Sequence, residues 1–110
     1  MQIEGSAALI TGGANGIGEC CAKMLAGAGA RVAVCDIVPE QIERVVADIR
    51  ASGGEAIGVC GNVVKEADQA AFIRETVKAF GRLNIVIPSA CIIREATVVT
   101  TDRDSGKGVR

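Results

Sequence analysis

Histidine, tyrosine and tryptophan are absent from this chain, and Phe72 and Phe80 are its only aromatic residues. The absence of histidine removes the commonest general base and the commonest metal ligand of proteins. Without large rings, the core must be built from valine, isoleucine, leucine and alanine. These are the residues that buried parallel strands prefer.

An excess of charge of either sign is also lacking, because 12 Lys and Arg residues face 13 Asp and Glu residues, for a net charge of −1. The basic residues are dispersed, so the sequence predicts no nucleic-acid partner. Residues 1–4 lack the basic region and apolar stretch of a secretory signal. No apolar run approaches the roughly 18 residues of a membrane span. We therefore expect a cytoplasmic protein without a membrane partner.

Paired cysteine motifs are missing as well. The number of cysteines is odd and no C-x-x-C pair occurs, which indicates neither a disulfide framework nor a zinc site. The sequence thus predicts no metal, and we expect small buried thiols in a reducing cytoplasm. The five cysteines are Cys20, Cys21, Cys35, Cys60 and Cys91.

What the chain does contain is an alternation of four short apolar runs with three amphipathic stretches. This βαβαβαβ order predicts an α/β fold with a parallel sheet. Each run is about five residues long and mostly apolar, as expected of strands that are covered on both faces. The predicted strands are residues 7–11, 31–36, 56–60 and 83–87.

The amphipathic stretches predict helices that pack on the two faces of the sheet through right-handed crossovers. Glycines (Gly29, then Gly53 with Gly54, then Gly81) end them, and Pro39 suits the first turn of the second. The first helix, residues 17–28, is predicted to bury Ile17, Cys21, Met24, Leu25 and Ala28. The second is predicted to bury Ile42, Val45, Val46 and Ile49, and the third Phe72, Ile73, Val77 and Phe80.

The last part of the sequence differs from the rest. From Arg94 onward the periodicity disappears and the residues become polar and turn-like. We therefore predict a folded domain at residues 1–93 and a polar loop or tail at residues 94–110.

The strongest chemical signal is the run TGGANGIG at residues 11–18, between the first predicted strand and the first predicted helix. Glycines there permit a tight turn and a close approach of backbone N–H groups to a pyrophosphate, and the helix dipole favours the anion. The alternative interpretation is an ordinary glycine-rich turn. A P-loop is excluded, because no Lys-Ser or Lys-Thr follows the glycines.

Asp36 ends the second predicted strand, 18 residues after Gly18. A carboxylate at this place accepts the two ribose hydroxyls of an adenosine and repels a 2′-phosphate. Ile37 follows it, where an arginine would have favoured that phosphate. NAD is therefore predicted rather than NADP. The alternative is that Asp36 caps the helix that begins near Pro39.

These motifs resemble the short-chain dehydrogenase/reductase family when they are taken together with the run GRLNIVI at residues 81–87. The resemblance extends from about Ser6 to Ile93. It implies a three-layer, Rossmann-like parallel sheet of about four strands in the order 3-2-1-4, present only in part. It also implies an NAD-dependent oxidoreductase that acts on an alcohol, a ketone or a 3-oxoacyl substrate.

Family roles carry over to matching positions of this sequence. The glycine-rich run would line the pyrophosphate, Asp36 the ribose, the Asn62-Val63 pair the adenine, and the Ser89-Ala90 pair the nicotinamide side. Pro88 and Cys91 depart from the family pattern there, since proline removes a backbone donor and cysteine adds a Cβ. The implied cofactor-binding set is Gly12, Asn15, Gly16, Ile17, Gly18, Asp36, Ile37, Asn62, Val63, Ser89 and Ala90.

The family's catalytic residues are not matched. A tyrosine acts there as general acid/base with a lysine four residues later, supported by a serine, and this chain has no tyrosine. The sequence predicts no catalytic residue. Cys91 and Lys107 are the possible substitutes for the tyrosine, and both are expected to be structural or solvated. Three hypotheses stay open: a truncated dehydrogenase that is inert alone, a non-catalytic dinucleotide-binding module, and a minimal enzyme with an unrecognised site.

The predicted strand order has a consequence for assembly. The fourth strand, residues 83–87, would present an apolar edge with free N–H and C=O groups. We therefore expect a homo-oligomer that buries this edge.

Overall fold

A computed structural model of the chain describes residues 3–14 and 16–89. The predicted domain boundary at residue 93 lies outside these residues, as do Asn15, Ala90 and Cys91. The elements in chain order are β1 Ala7–Thr11, α1 Gly16–Gly27, β2 Arg31–Asp36, α2 Pro39–Ala51, β3 Glu55–Cys60, α3 Glu66–Phe80 and β4 Ile85–Pro88.

The four strands form one parallel sheet in the order β3-β2-β1-β4. Thr11 is in register with Cys35 on one side and with Pro88 on the other, and Asp36 is in register with Cys60. This confirms the predicted α/β fold and strand order. The carboxyl ends of all four strands therefore meet at one edge. From β1 the chain adds β2 and β3 on one side of β1, and it then returns to add β4 on the other side, so the strand order reverses between β1 and β4. Ligands of open α/β sheets bind in this kind of crevice.

Alternate residues of the strands face two separate helical layers. Ala8 and Ile10 of β1 pack with the side chains of α2 on one face of the sheet. Ala7 and Leu9 pack with Phe72 and Phe80 of α3 on the other face. Each face of the sheet is covered by its own core cluster, which is why the strands are apolar on both sides.

The prediction of which α1 residues are buried is wrong. Ile17 and Met24 are 55% and 69% exposed, and Gly18 and Ala22 are buried in their place. Of the remaining predicted residues, Leu25 is half-buried and packs against the core, Cys21 is half-buried, and Ala28 is exposed. At Gly18 the helix lies directly against the Gly12 carbonyl and Ser89, so its first turn has no room for a side chain on this face. Residue size therefore decides this face, and apolarity does not.

The other two helices follow the predictions more closely. Ile42, Val45, Val46 and Ile49 of α2 are buried as predicted, and so are Phe72 and Phe80 of α3. Ile73 and Val77, which were also predicted to be buried, are 50% and 41% exposed. Thr76 is buried instead, and its hydroxyl donates to the Phe72 carbonyl at 2.7 Å. A side chain that satisfies its own hydroxyl is buried at little cost.

The fourth strand begins two residues later than predicted. Asn84 contacts the start of β1 through its side chain, because the Ala7 N–H donates to Asn84 Oδ1 at 2.9 Å. The Asn84 N–H donates in return to the Ala7 carbonyl at 2.9 Å. This exchange aligns the chain before β4 begins at Ile85.

The described cysteines are free thiols with different surroundings. Cys35 is buried in the sheet, and its burial raises the pKa of the thiol to about 12. Cys20 and Cys60 are exposed, so the prediction of buried thiols is wrong for these two residues. Their side chains lie at the surface because one is on the outer face of α1 and the other at the end of the edge strand β3.

Within the described ranges, no helix combines the length and apolarity that crossing a membrane requires.

Candidate dinucleotide-binding site

The glycine-rich loop joins the end of β1 to the start of α1. Gly12 and Gly16 have φ angles of 70° and 58°, in the left-handed region that glycine enters without strain. The N–H groups of Gly12 and Gly13 donate to the Cys35 carbonyl at 2.7 and 3.3 Å. The loop is thereby fixed against the end of β2, at the edge where the four strands finish.

Gly18 brings the first turn of α1 against this loop. A Cβ on Gly18 would lie 2.7 Å from the Gly12 carbonyl carbon, and it would overlap the Gly12 carbonyl oxygen and Ser89 Oγ. Gly16 is different, because a Cβ there would meet nothing within 4 Å. The loop is therefore tightly packed on its inner side at Gly18 and open at Gly16.

Ser89 connects the end of β4 to the same loop. Its side chain is buried, and its Oγ lies 2.5 Å from the Thr11 carbonyl oxygen and 3.3 Å from that of Gly12. The hydroxyl thus donates to the backbone where β1 turns into the loop. A residue 77 positions away in sequence from Gly12 thereby helps to hold the glycine-rich turn.

Asp36 lies at the end of β2 and also contacts the loop. Its Oδ2 accepts the Ala14 N–H at 3.0 Å, and its Oδ1 accepts the Ile37 N–H at 2.7 Å. The helix-capping alternative is wrong, since the N-cap residue of α2 is Val38 and no side chain caps that end. An ionised carboxylate has about four acceptor positions, so about two remain on Asp36 for hydroxyl donors.

Asn62 and Val63 form part of a braced loop between β3 and α3. Asn62 Oδ1 accepts the Val64 N–H at 3.0 Å, and the Asn62 N–H donates to Asp68 Oδ2 at 2.7 Å. The side-chain amide of Gln69 donates to the Val63 carbonyl. This loop lies at the carboxyl end of the outermost strand, two strands away from the glycine-rich loop.

The predicted site residues therefore fall into two groups. The structure brings Gly12, Gly18 and Ser89 into direct contact, and it joins Asp36 to the same loop through Ala14. The side chains of Ile17 and Ile37 are 55% and 58% exposed beside this group. Asn62 and Val63 lie apart from it, on the same edge of the sheet.

Three residues around the loop escaped the sequence analysis: Ala14, Glu19 and Arg44. Arg44 Nη2 donates to the Ala14 carbonyl at 3.2 Å, and the guanidinium also binds Glu19 of α1. Hydrogen bonds from Arg44 and Lys23 lower the pKa of Glu19 to about 2. The i,i+4 spacing of Glu19 and Lys23 in the sequence could have predicted their ion pair. No sequence pattern indicates the contact of Glu19 with Arg44, which joins α1 to α2.

Comparison with known proteins identifies the family. The profile of the family described as short chain dehydrogenase matches residues 6–107. The chain belongs to the short-chain dehydrogenase family. An uncharacterized oxidoreductase from Thermotoga maritima is 38% identical to it over 104 residues, which cover 94% of this chain and 41% of that protein.

Two further relatives agree with this assignment. A 2,5-dichloro-2,5-cyclohexadiene-1,4-diol dehydrogenase from Sphingobium indicum is 41% identical over 92 residues, which cover 84% of this chain and 37% of that protein. The crystal structure of a hydroxysteroid dehydrogenase from Escherichia coli superposes with a TM-score of 0.75 at 32% identity. The superposition covers 77% of this chain and 35% of the hydroxysteroid dehydrogenase.

This short-chain dehydrogenase chain thus spans about two-fifths of the length of the relatives it matches. These relatives are oxidoreductases by name, and proteins of the family typically bind a nicotinamide dinucleotide. The resemblance inferred from the glycine-rich run, Asp36 and residues 81–87 is confirmed.

Proposed function

We propose that the chain forms the NAD(H)-binding portion of an oxidoreductase that acts on an alcohol, a ketone or a 3-oxoacyl substrate. The observation that carries this proposal is the position of the Asp36 carboxylate. It is held beside the glycine-rich loop by the N–H groups of Ala14 and Ile37, with acceptor positions left for two ribose hydroxyls.

The loop itself fits a pyrophosphate. Gly12 and Gly16 place the backbone in conformations that leave no Cβ on the path of an approaching ligand, and α1 begins at Gly16. Unpaired N–H groups and the helix dipole favour an anion at such a helix start. When bound, the nicotinamide would accept or supply the hydride, and the residues of this chain would hold and orient the cofactor.

The preference for NAD over NADP follows from charge. A 2′-phosphate would place about two negative charges about 5 Å from the Asp36 carboxylate. At that distance the repulsion is about 1.7 kcal/mol even in bulk water, or more than tenfold in affinity. Ile37, which follows Asp36, offers no compensating positive charge.

Catalysis requires groups that this sequence does not supply. The family's general acid/base is a tyrosine, and the 110 residues contain neither tyrosine nor histidine. We therefore propose that these residues bind the cofactor, and that proton transfer depends on residues outside them. The relative that acts on a cyclohexadiene diol supports an alcohol as the substrate class.

Cofactor titration tests the proposal. NADH should bind the chain at least tenfold more tightly than NADPH, because the Asp36 carboxylate repels the 2′-phosphate. Asp36→Asn should narrow or reverse this difference, because it removes the charge and keeps an oxygen that accepts the Ala14 N–H. NADH fluorescence is a suitable readout, since the chain contains no Trp or Tyr.

The matched control is Glu40→Gln, which removes the same charge from the first turn of α2 and should leave both affinities unchanged. Equal affinities of the unaltered chain for the two cofactors would contradict the NAD preference. A turnover assay with NADH and ketone or acyl substrates adds a second criterion. Turnover by the chain alone would favour the minimal-enzyme alternative.

We also propose that a second copy of the chain covers the outer edge of β4. In the described part of the chain, β4 pairs only with β1, and Val86 is 55% exposed. Ile73 of α3 is 50% exposed and lines the same surface depression as Val86, so it adds apolar surface beside β4. No charged residue lies within Ile85–Pro88 to repel a partner strand, so two copies of this edge can pair about a twofold axis.

A further inference from the structure

Four charged side chains connect α1 to α2 beside the candidate site. Lys23 Nζ lies 2.7 Å from Glu19 Oε2 and 3.1 Å from Asp48 Oδ2. Arg44 Nη1 lies 3.0 Å from Glu19 Oε2 and 3.9 Å from Asp48 Oδ2. Glu19 is the centre of this cluster, because it binds both cations and its side chain is only 19% exposed.

Arg44 also reaches the glycine-rich loop. Its Nη2 donates to the Ala14 carbonyl at 3.2 Å, while the Ala14 N–H donates to Asp36 Oδ2 at 3.0 Å. The N–H and C=O of one residue lie about 3–4 Å apart, so the guanidinium is within about 10 Å of the carboxylate. One residue of backbone therefore separates a positive charge from the proposed ribose-binding group.

Glu19 occupies the guanidinium in a two-point contact. Arg44 Nη1 binds Glu19 Oε2 at 3.0 Å, and Arg44 Nη2 binds Glu19 Oε1 at 3.1 Å. This forked geometry is also the one by which arginine binds a phosphate. While Glu19 holds it, the guanidinium is paired with a carboxylate, and both its Nη1 and its Nη2 are already engaged.

We propose that Glu19 is a specificity-determining residue that acts through Arg44, by withholding this cation from a 2′-phosphate on the cofactor ribose. Glu19 is a positioning residue and does not itself touch the cofactor. The inference rests on the proposed NAD(H) site at Asp36. It predicts that the Arg44 guanidinium can bind a 2′-phosphate once the carboxylates of Asp36 and Glu19 have been removed.

The lowered pKa of Glu19 agrees with this assignment. Hydrogen bonds from Arg44 and Lys23 bring it from 4.5 to about 2, so the carboxylate stays ionised and bound to Arg44 at neutral pH. Protonation does not release Arg44 under ordinary conditions, and substitution is needed to do so.

The test uses NADH and NADPH with Asp36→Asn and the double variant Asp36→Asn/Glu19→Gln. The double variant should bind NADPH about tenfold more tightly than the single one, as for one added charge-assisted hydrogen bond. Its affinity for NADH should change less than the affinity for NADPH. The gain should shrink at high salt, because exposed charges are screened.

Two further variants identify the residue responsible. Adding Arg44→Met to the double variant should remove the gain, since methionine keeps much of the apolar stem and lacks the charge. Asp48→Asn, combined with Asp36→Asn, is the matched control: it removes a carboxylate of the same cluster that lies 3.9 Å from Arg44 and leaves the Glu19 contact intact. If the glutamine variant folds poorly, Glu19→Ala can replace Glu19→Gln in the same test, because alanine is a good helix former.

The outcomes are distinct. An NADPH affinity that does not respond to Glu19 overturns this inference and leaves the NAD(H) site standing. A gain that persists in the Arg44→Met variant also overturns it, since Arg44 is then not the ligand. Failure of the unaltered chain to bind either cofactor removes the proposed function, and the inference with it.

Discussion

Replacing Gly18 by alanine tests whether the close approach of α1 to the glycine-rich loop creates the binding site. Gly18 is buried, and its new Cβ would lie 2.7 Å from the Gly12 carbonyl carbon. Non-bonded carbon atoms normally approach to about 3.5–4.0 Å, so helix and loop must separate by about 1 Å. Both contacting groups at Gly12 are backbone atoms, which no side-chain rotation can move aside.

The size of the effect follows from this displacement. Overpacking of a close contact costs about 1–3 kcal/mol, which lowers the Tm of a domain of this size by about 5–15 °C. The loop N–H groups that face the proposed pyrophosphate would shift with Gly12. Loss of one hydrogen bond to a charged group costs about 1.5–3 kcal/mol of binding free energy, so NADH affinity should fall at least tenfold.

Thermal unfolding and NADH titration of Gly18→Ala should be measured beside Gly27→Ala. Gly27 ends the same helix, and a Cβ there would meet nothing within 4 Å. This control should keep its NADH affinity and unfold at the same or a higher temperature, because alanine is the better helix former by up to about 1 kcal/mol. If Gly18→Ala binds NADH as tightly as the unaltered chain, the loop does not hold the pyrophosphate.

Two further predictions concern the ion-pair cluster and the edge of the sheet. Because the folded state lowers the pKa of Glu19 from 4.5 to about 2, the stabilisation is complete above pH 4.5 and is lost as the pH falls from there towards 2. Melting curves across this range should show a smaller loss of Tm on the acid side for Glu19→Gln, and parallel curves would contradict the assignment. Val86→Lys should shift the chain from oligomer to monomer in light scattering, and the monomer should stay folded because Val86 is 55% exposed in the single chain. A stable monomer of the unaltered chain at high concentration would refute the proposed self-association.

Much of the site was predictable because local sequence determines it. The glycines of residues 11–18 and the carboxylate at Asp36 each follow a strand of a recognisable βαβ repeat. Parallel strands bring their carboxyl ends to one edge, so the repeat alone predicts that these residues meet. The face of α2 was predicted correctly for a similar reason, since its apolar residues recur at i, i+3, i+4 and i+7.

The partners of the site residues were not predictable in the same way. Ala14 gives no side-chain signal, yet its N–H binds Asp36 and its carbonyl binds Arg44. These contacts join residues 22 and 30 positions apart and depend on how closely α1 and α2 approach. A sequence pattern gives the direction of a side chain around a helix, but it does not give the distance to the neighbouring helix.

The buried face of α1 illustrates the limit most clearly. Its hydrophobic pattern favours Ile17 and Met24, whereas the structure buries Gly18 and Ala22. The sequence by itself determined the order of elements, the strand that carries Asp36 and the glycine-rich turn, because these depend on backbone conformation and on period. Only the tertiary structure decided which face of α1 meets the sheet, because that choice depends on the space left between helix and loop, where a single Cβ does not fit.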